Sequence, residues 1–287
     1  MMIPAQVKWI KFGTGLLLTA ILSLSIHAIM LQQFHVPFPD TSVITKPYMF
    51  ILRVGSALAL LYFWKLAGQK VGRSYVKQWL LLFLIDAMLT ESLFRGPFMD
   101  GYCSNAIIFM LVSNIPKLLS IAVICGLVVL ITPKLHSAWQ KLVAAIVITA
   151  IYVYAATPLF GAAWAPVLSL IARLAPTSSW CNLPYGPNVL IPAYISYLEP
   201  VIACALMALL VWHQLPKAIW MKYLIFILMV LAIKNQLVTP VFYALLGKSS
   251  FFSNLLSESQ FALEALALAI LTGVTMAYSS RQAVNAG

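Results

Sequence analysis

Eight separate runs of mostly apolar residues divide this chain, at about 10–31, 47–65, 79–95, 105–131, 142–162, 189–213, 223–246 and 260–278, each near the length of about 20 residues that crosses a bilayer. Lipid offers no hydrogen-bond partner to a backbone amide, so each run must satisfy its own backbone, as a helix does. The expected fold is all-α: a polytopic transmembrane helix bundle of eight spans forming a single integral membrane domain over residues 1–287. Composition agrees, with 62% of residues hydrophobic and only 9% charged, where soluble domains carry about 25% charged residues. Soluble, disordered, collagen-like and coiled-coil folds are excluded on the same ground. Polar stretches long enough for a soluble domain are absent.

The formal charge of +11 invites a nucleic-acid reading, but its distribution argues for topology instead. No basic segment interleaved with aromatics is long enough to follow a nucleic-acid groove. With the N-terminus inside, the cytoplasmic segments hold Lys8, Lys11, Lys65, Lys70, Arg73, Lys77, Lys134, Lys141, Lys217, Lys222 and Arg281. The opposite side has Lys46 and Lys248 in loops, with Arg95 and Arg173 near helix ends. That asymmetry predicts both termini in the cytoplasm, and the bacterial inner membrane as location. The first run follows Lys8 and Lys11 as a signal peptide would, but its length and the bulky Ile26 predict a retained helix.

Thr157-Pro158, Gly161 and Pro166 interrupt the fifth run, so its helix is expected to end near residue 162, with an interfacial segment over 163–174. The loop that follows is rich in Pro, Gly, Ser and Asn. Cys103 and Cys181 fall in outer loops, where an oxidising compartment would allow a disulfide, while Cys125 and Cys204 fall within spans as packing residues. His27, His35, His136 and His213 are scattered and no C-x-x-C occurs, so neither a metal nor another cofactor is expected. Trp139, Trp180, Trp212, Trp220, Phe251 and Phe252 near span ends read as an interfacial belt.

The informative residues are the charges inside the spans: Arg53, Asp86, Glu91, Arg95, Lys117, Glu199, Lys234 and Glu264. A lone charge at the bilayer centre costs about 2.5–3.5 kcal/mol on insertion scales, so pairing within the bundle is expected. Counting residues from each interface puts Glu91, Lys117, Glu199 and Lys234 near the midplane and Arg53, Arg95 and Glu264 in the outer third, with Asp86 alone in the inner half. Proline and polar clusters accompany these charges: Asn114-Ile115-Pro116-Lys117, Tyr197-Leu198-Glu199-Pro200, and Lys234-Asn235-Gln236 before Thr239-Pro240. They predict broken helices, the backbone on which transporters build their sites. The repeated TPLF (157–160) and TPVF (239–242) suggest equivalent roles for two helices.

Glu91 and Arg95 stand four apart on one helical face. The segment TESLFRGPF (90–98) resembles the first motif of the CAAX-protease and bacteriocin-processing family, glutamate-dependent intramembrane proteases with a Glu-Glu-x-x-x-Arg signature. Glu91 and Arg95 match its second glutamate and its arginine. Thr90 stands in place of the first glutamate, and neither Phe-x-x-x-His nor His-x-x-x-Asn follows. The resemblance therefore implies at most a degenerate, non-proteolytic relative. Nucleophile-elbow, P-loop and dinucleotide-binding motifs are missing.

The function expected from these residues is that of a transporter or permease-like carrier of a small polar or amphiphilic solute. Glu91, Lys117, Glu199 and Lys234 would form the site, and Arg53, Arg95 and Glu264 an outer gate. The alternatives are an intramembrane enzyme acting on a lipid-linked or peptide substrate, with Glu91 as general base and Arg95 as anion stabiliser, and a non-catalytic immunity-type partner. Membrane lipids are the expected surroundings in every case.

Overall fold

The computed structural model describes residues 8–40 and 44–280; Arg281, counted above among the cytoplasmic bases, lies outside them. The described residues are helical with no strand. α1 spans Trp9–Gln32, α2 Lys46–Ala67, α3 Tyr75–Leu89, α4 Arg95–Cys103, α5 Ile107–Ser113, α6 Ile115–Ile131 and α7 Ala138–Ala150. They are followed by α8 Thr157–Leu170, α9 Pro187–Ser196, α10 Leu198–Val211, α11 Ile219–Ile233, α12 Thr239–Leu246 and α13 Phe251–Ser280. Among the described residues, six helical runs are long and apolar enough to cross a membrane: α1, α2, α5–α6, α7–α8, α9–α10 and α13.

The two runs missing from that set are the third and seventh apolar stretches. Each is cut by a turn into pieces of modest length: α3 and α4 by Thr90–Phe94, α11 and α12 by Lys234–Val238. The fifth stretch shows the reverse. Its prolines do not end it near residue 162; a single π-helical turn over Ile151–Ala156 precedes Pro158, and helix continues to Leu170. Proline lacks the N–H that an α-helical ladder needs, and the wider π turn absorbs that loss. Thr157 and Thr239 of the repeated Thr-Pro pairs each open a new helical segment.

α10 is the central helix, packed against α1, α2, α3, α9 and α13. Beyond Glu199 in its first turn it is apolar on every face, and most of its residues are buried. Ala203, Cys204, Ala205 and Ala208 are small enough to let its neighbours approach closely. α1 and α12 lie along α13, while α2 pairs with α7 and α3 with α6. Ile10, Leu17, Leu18, Ile108, Leu159 and Ile195 point outward and are exposed, while Ser23, Asp86, Ser92, Gln260 and Glu264 are buried. Apolar outside and polar inside is the arrangement of an integral membrane protein, because only the interior of the bundle offers partners to polar groups.

Outside the apolar runs, Cys103 and Cys181 form a disulfide that ties the end of α4 to the segment before α9. Trp180 reinforces the tether: its backbone amide donates to the Cys103 carbonyl at 2.8 Å and its indole N–H to the Tyr102 carbonyl at 2.8 Å. Trp139 and Trp220 are exposed as belt residues would be, but Trp212 is buried edge-on against Tyr223 and Phe226.

Candidate functional site

The Thr90–Phe94 turn is the centre of the polar interior. Glu91 adopts a left-handed backbone conformation, φ 55°, which is unusual for a residue with a long side chain. The turn closes through Ser92 N–H to the Ala87 carbonyl at 2.8 Å and Gly96 N–H to the Glu91 carbonyl at 2.9 Å. Gly96 is required there, since a β-carbon would lie 2.7 Å from the Glu91 carbonyl oxygen.

The carboxylate of Glu91 joins two cations. Its Oε1 accepts from Lys234 Nζ at 2.5 Å, and its Oε2 from Arg95 Nε at 2.6 Å. Lys234 also donates to the Leu89 carbonyl at 3.2 Å, the last residue of α3, so a cation meets the negative end of that helix. Glu199 meets the opposite end: it accepts from the backbone amides of Leu93 at 3.2 Å, Phe94 at 3.0 Å and Arg95 at 2.6 Å, the start of α4. The carboxylate thus supplies acceptors to N–H groups that have no partner within their own helix.

Three further helix breaks are bonded to this one turn. Arg95 Nη1 donates to the Ala193 carbonyl at 2.7 Å and to Ser196 Oγ at 2.9 Å, at the end of α9, and its guanidinium lies 4.9 Å from the Tyr197 ring centroid. Lys234 belongs to the α11–α12 break, where Asn235 is left-handed at φ 59°. Asn114, between α5 and α6, donates its side-chain amide to the Ser92 carbonyl at 2.5 Å. Four broken helices therefore converge on five residues.

Beside these pairs lie polar groups with no partner. Among the described residues, Tyr197 Oη, Asn235 Oδ1, Gln236 Oε1 and His27 Nδ1 are buried without a hydrogen bond. Glu264, 3% exposed, is close enough to Arg95, Lys234 and Glu91 to feel their charge. Such unmatched buried groups are uncommon in folded proteins, and here they gather beside the charged turn. No cluster of three or more metal-ligating side chains occurs among the described residues.

Of the residues singled out by sequence, Glu91, Arg95, Glu199 and Lys234 are brought together, with Glu264 alongside. Lys117 is not: it is exposed near the start of α6 and makes no ion pair within 4 Å among the described residues. Arg53 stacks on Tyr152, 4.9 Å from the ring centroid. With Asp86, Ser56 and Thr149 it lines a separate cavity of about 20 Å³, where Asp86 Oδ1 and Thr149 Oγ1 are unpartnered. Comparison with protein-family models, curated proteins and solved structures found no match.

Sequence reasoning passed over Ser196, His27 and Glu258. Ser196 stands next to the Tyr197-Leu198-Glu199-Pro200 cluster, where its hydroxyl beside a proline break is a legible signal. His27 carries no local signal. Glu258 falls outside the apolar run that begins near residue 260, whereas α13 begins at Phe251 and buries Glu258.

Proposed function

We propose that this protein is a membrane carrier of a small polar or amphiphilic solute, and that its binding site is the polar interior around the Thr90–Phe94 turn. The single observation that carries this reading is the convergence of four broken helices on that turn. Non-helical backbone at membrane depth survives only where protein or a cavity satisfies it, and discontinuous helices with charged ends are how carriers hold solutes. In this reading Glu91, Arg95 and Lys234 form a charge set that opens to admit a polar group, with Tyr197, Asn235 and Gln236 supplying hydrogen bonds. Eight crossings with both termini inside remain our topology, the third and seventh being broken spans.

The enzyme alternative fits less well. A general base needs a carboxylate able to take a proton in the reaction, and both oxygens of Glu91 already accept from cations.

Native mass spectrometry of the protein in lipid nanodiscs tests the carrier reading. A reproducible bound solute should be seen in the wild type and lost in the charge-balanced double variant Glu91→Gln, Lys234→Met, with thermal unfolding confirming that the variant is folded. Equal occupancy in both proteins, or none in either, would count against it.

A further inference from the structure

A second feature of the bundle lies on its outer surface, away from the broken helices. We propose that the groove between α2 and α11 is a binding site for one anionic phospholipid. Gly55, Ala59 and Ala232 make its floor shallow in side chains, and the groove encloses about 480 Å³. Lys65 and Lys141 line its far end, beside Tyr62.

Three observations point to this ligand. The first is length: from Gly55 to Leu66, both lining the groove, the α2 axis advances about 16 Å. One leaflet of hydrocarbon is about 15 Å, half the bilayer core. An acyl chain lying in the groove would thus bring its headgroup level with the two lysines.

The second is charge. Lys141 is only 7% exposed, yet no carboxylate among the described residues lies within 4 Å of Lys65 or Lys141. The ammonium of Lys141 rests over the Tyr62 ring, 5.1 Å from its centroid, which holds the cation without neutralising it. A cation held in an apolar groove without a counter-charge attracts an anion, and a lipid phosphate supplies that charge. The third is side: both lysines belong to segments whose basic character places them at the cytoplasmic face, where anionic headgroups are found.

The proposal does not rest on the carrier reading and is tested without any solute. Protein is extracted from nanodiscs of equal parts phosphatidylglycerol and phosphatidylcholine and examined by native mass spectrometry. The wild type should retain one phosphatidylglycerol preferentially, and Lys65→Gln with Lys141→Met should lower that preference about tenfold, a change of about 1.4 kcal/mol. Lys65→Arg with Lys141→Arg should keep it. Gly55→Leu should block the groove, and because no atom lies within 4 Å of a β-carbon built there, that variant should fold normally. The proposal is overturned by an unchanged preference in the Gln/Met variant, by retained lipid in Gly55→Leu, by displacement of the adduct with inorganic phosphate, or by a lipid-free dimer closing over the groove.

Discussion

Lys234 and Glu91 are 143 residues apart in sequence, yet their charged atoms are 2.5 Å apart. Each sits in the turn that interrupts its own helix, so this one contact joins the α3–α4 break to the α11–α12 break. With Arg95 on the other carboxylate oxygen, the ends of several short helices are held as one unit.

Glu91→Gln should destabilise the protein by about 3–5 kcal/mol, because it leaves two largely buried cations without their counter-charge. Replacing Glu91 and Lys234 together by Leu and Met should cost less than the sum of the single changes, as expected for contacting residues. Thermal unfolding in detergent measures both, and strict additivity would refute the coupling. A double variant as stable as wild type but lacking any bound solute would place the pair in binding rather than in folding.

Glu199→Ala should cost about 1–3 kcal/mol by orphaning the amides of Phe94 and Arg95 and leaving that of Leu93 only its bond to the Ala87 carbonyl. Hydrogen exchange should report it locally, with these three amides losing protection before those of α10. Unchanged exchange at all three would show that α4 does not depend on Glu199 for its start.

Gly101→Ala should destabilise more than an ordinary glycine change in a helix. A β-carbon at Gly101 would lie 2.5 Å from the Ile107 α-carbon, and the obstacle is backbone, so α4 and α5 must separate. A loss of about 1–3 kcal/mol is expected from such overpacking, read as a fall in unfolding temperature. A neutral outcome would mean that the α4–α5 hairpin is pliable.

Removing the Cys103–Cys181 bridge, which closes a loop with sequence separation 78, should lower stability by at most about 4.5 kcal/mol on the loop-closure estimate. Membrane insertion already restricts the unfolded chain, so the measured loss should fall below that bound. Cys103→Ser with Cys181→Ser should behave like the reduced wild type in thermal unfolding. A bridge-free variant as stable as the oxidised protein would contradict this.

Orientation is checked by labelling. A cysteine at Ser178 should react with a membrane-impermeant maleimide on intact cells, and one at Gln69 only after lysis. The opposite pattern would reverse the proposed topology.

Much of this molecule was legible in one dimension. The positions of the apolar runs, the need for helix in each, and the placement of Glu199 and Lys234 at helix breaks all follow from local chemistry: apolar length, proline and charge; Glu91 and Arg95 read instead as neighbours on one continuous helix, which the structure breaks at Thr90–Phe94. The breaks themselves were signalled by Pro116, Pro200 and Pro240 and the polar residues before them. The Thr90–Phe94 turn was less visible, because the proline near it, Pro97, lies inside α4 and the turn is closed by Gly96 and by a distant carboxylate.

Sequence alone determined that the chain is a helical membrane bundle with charges that must find partners, since both conclusions depend only on what lipid can and cannot solvate. Tertiary structure decided which partners they find. Glu199 bonds backbone amides and no cation, Arg95 reaches the end of α9, and Lys117 stays outside the cluster. Those outcomes depend on the rotation and lateral placement of each helix, which are set by packing around α10 across separations that no local pattern encodes.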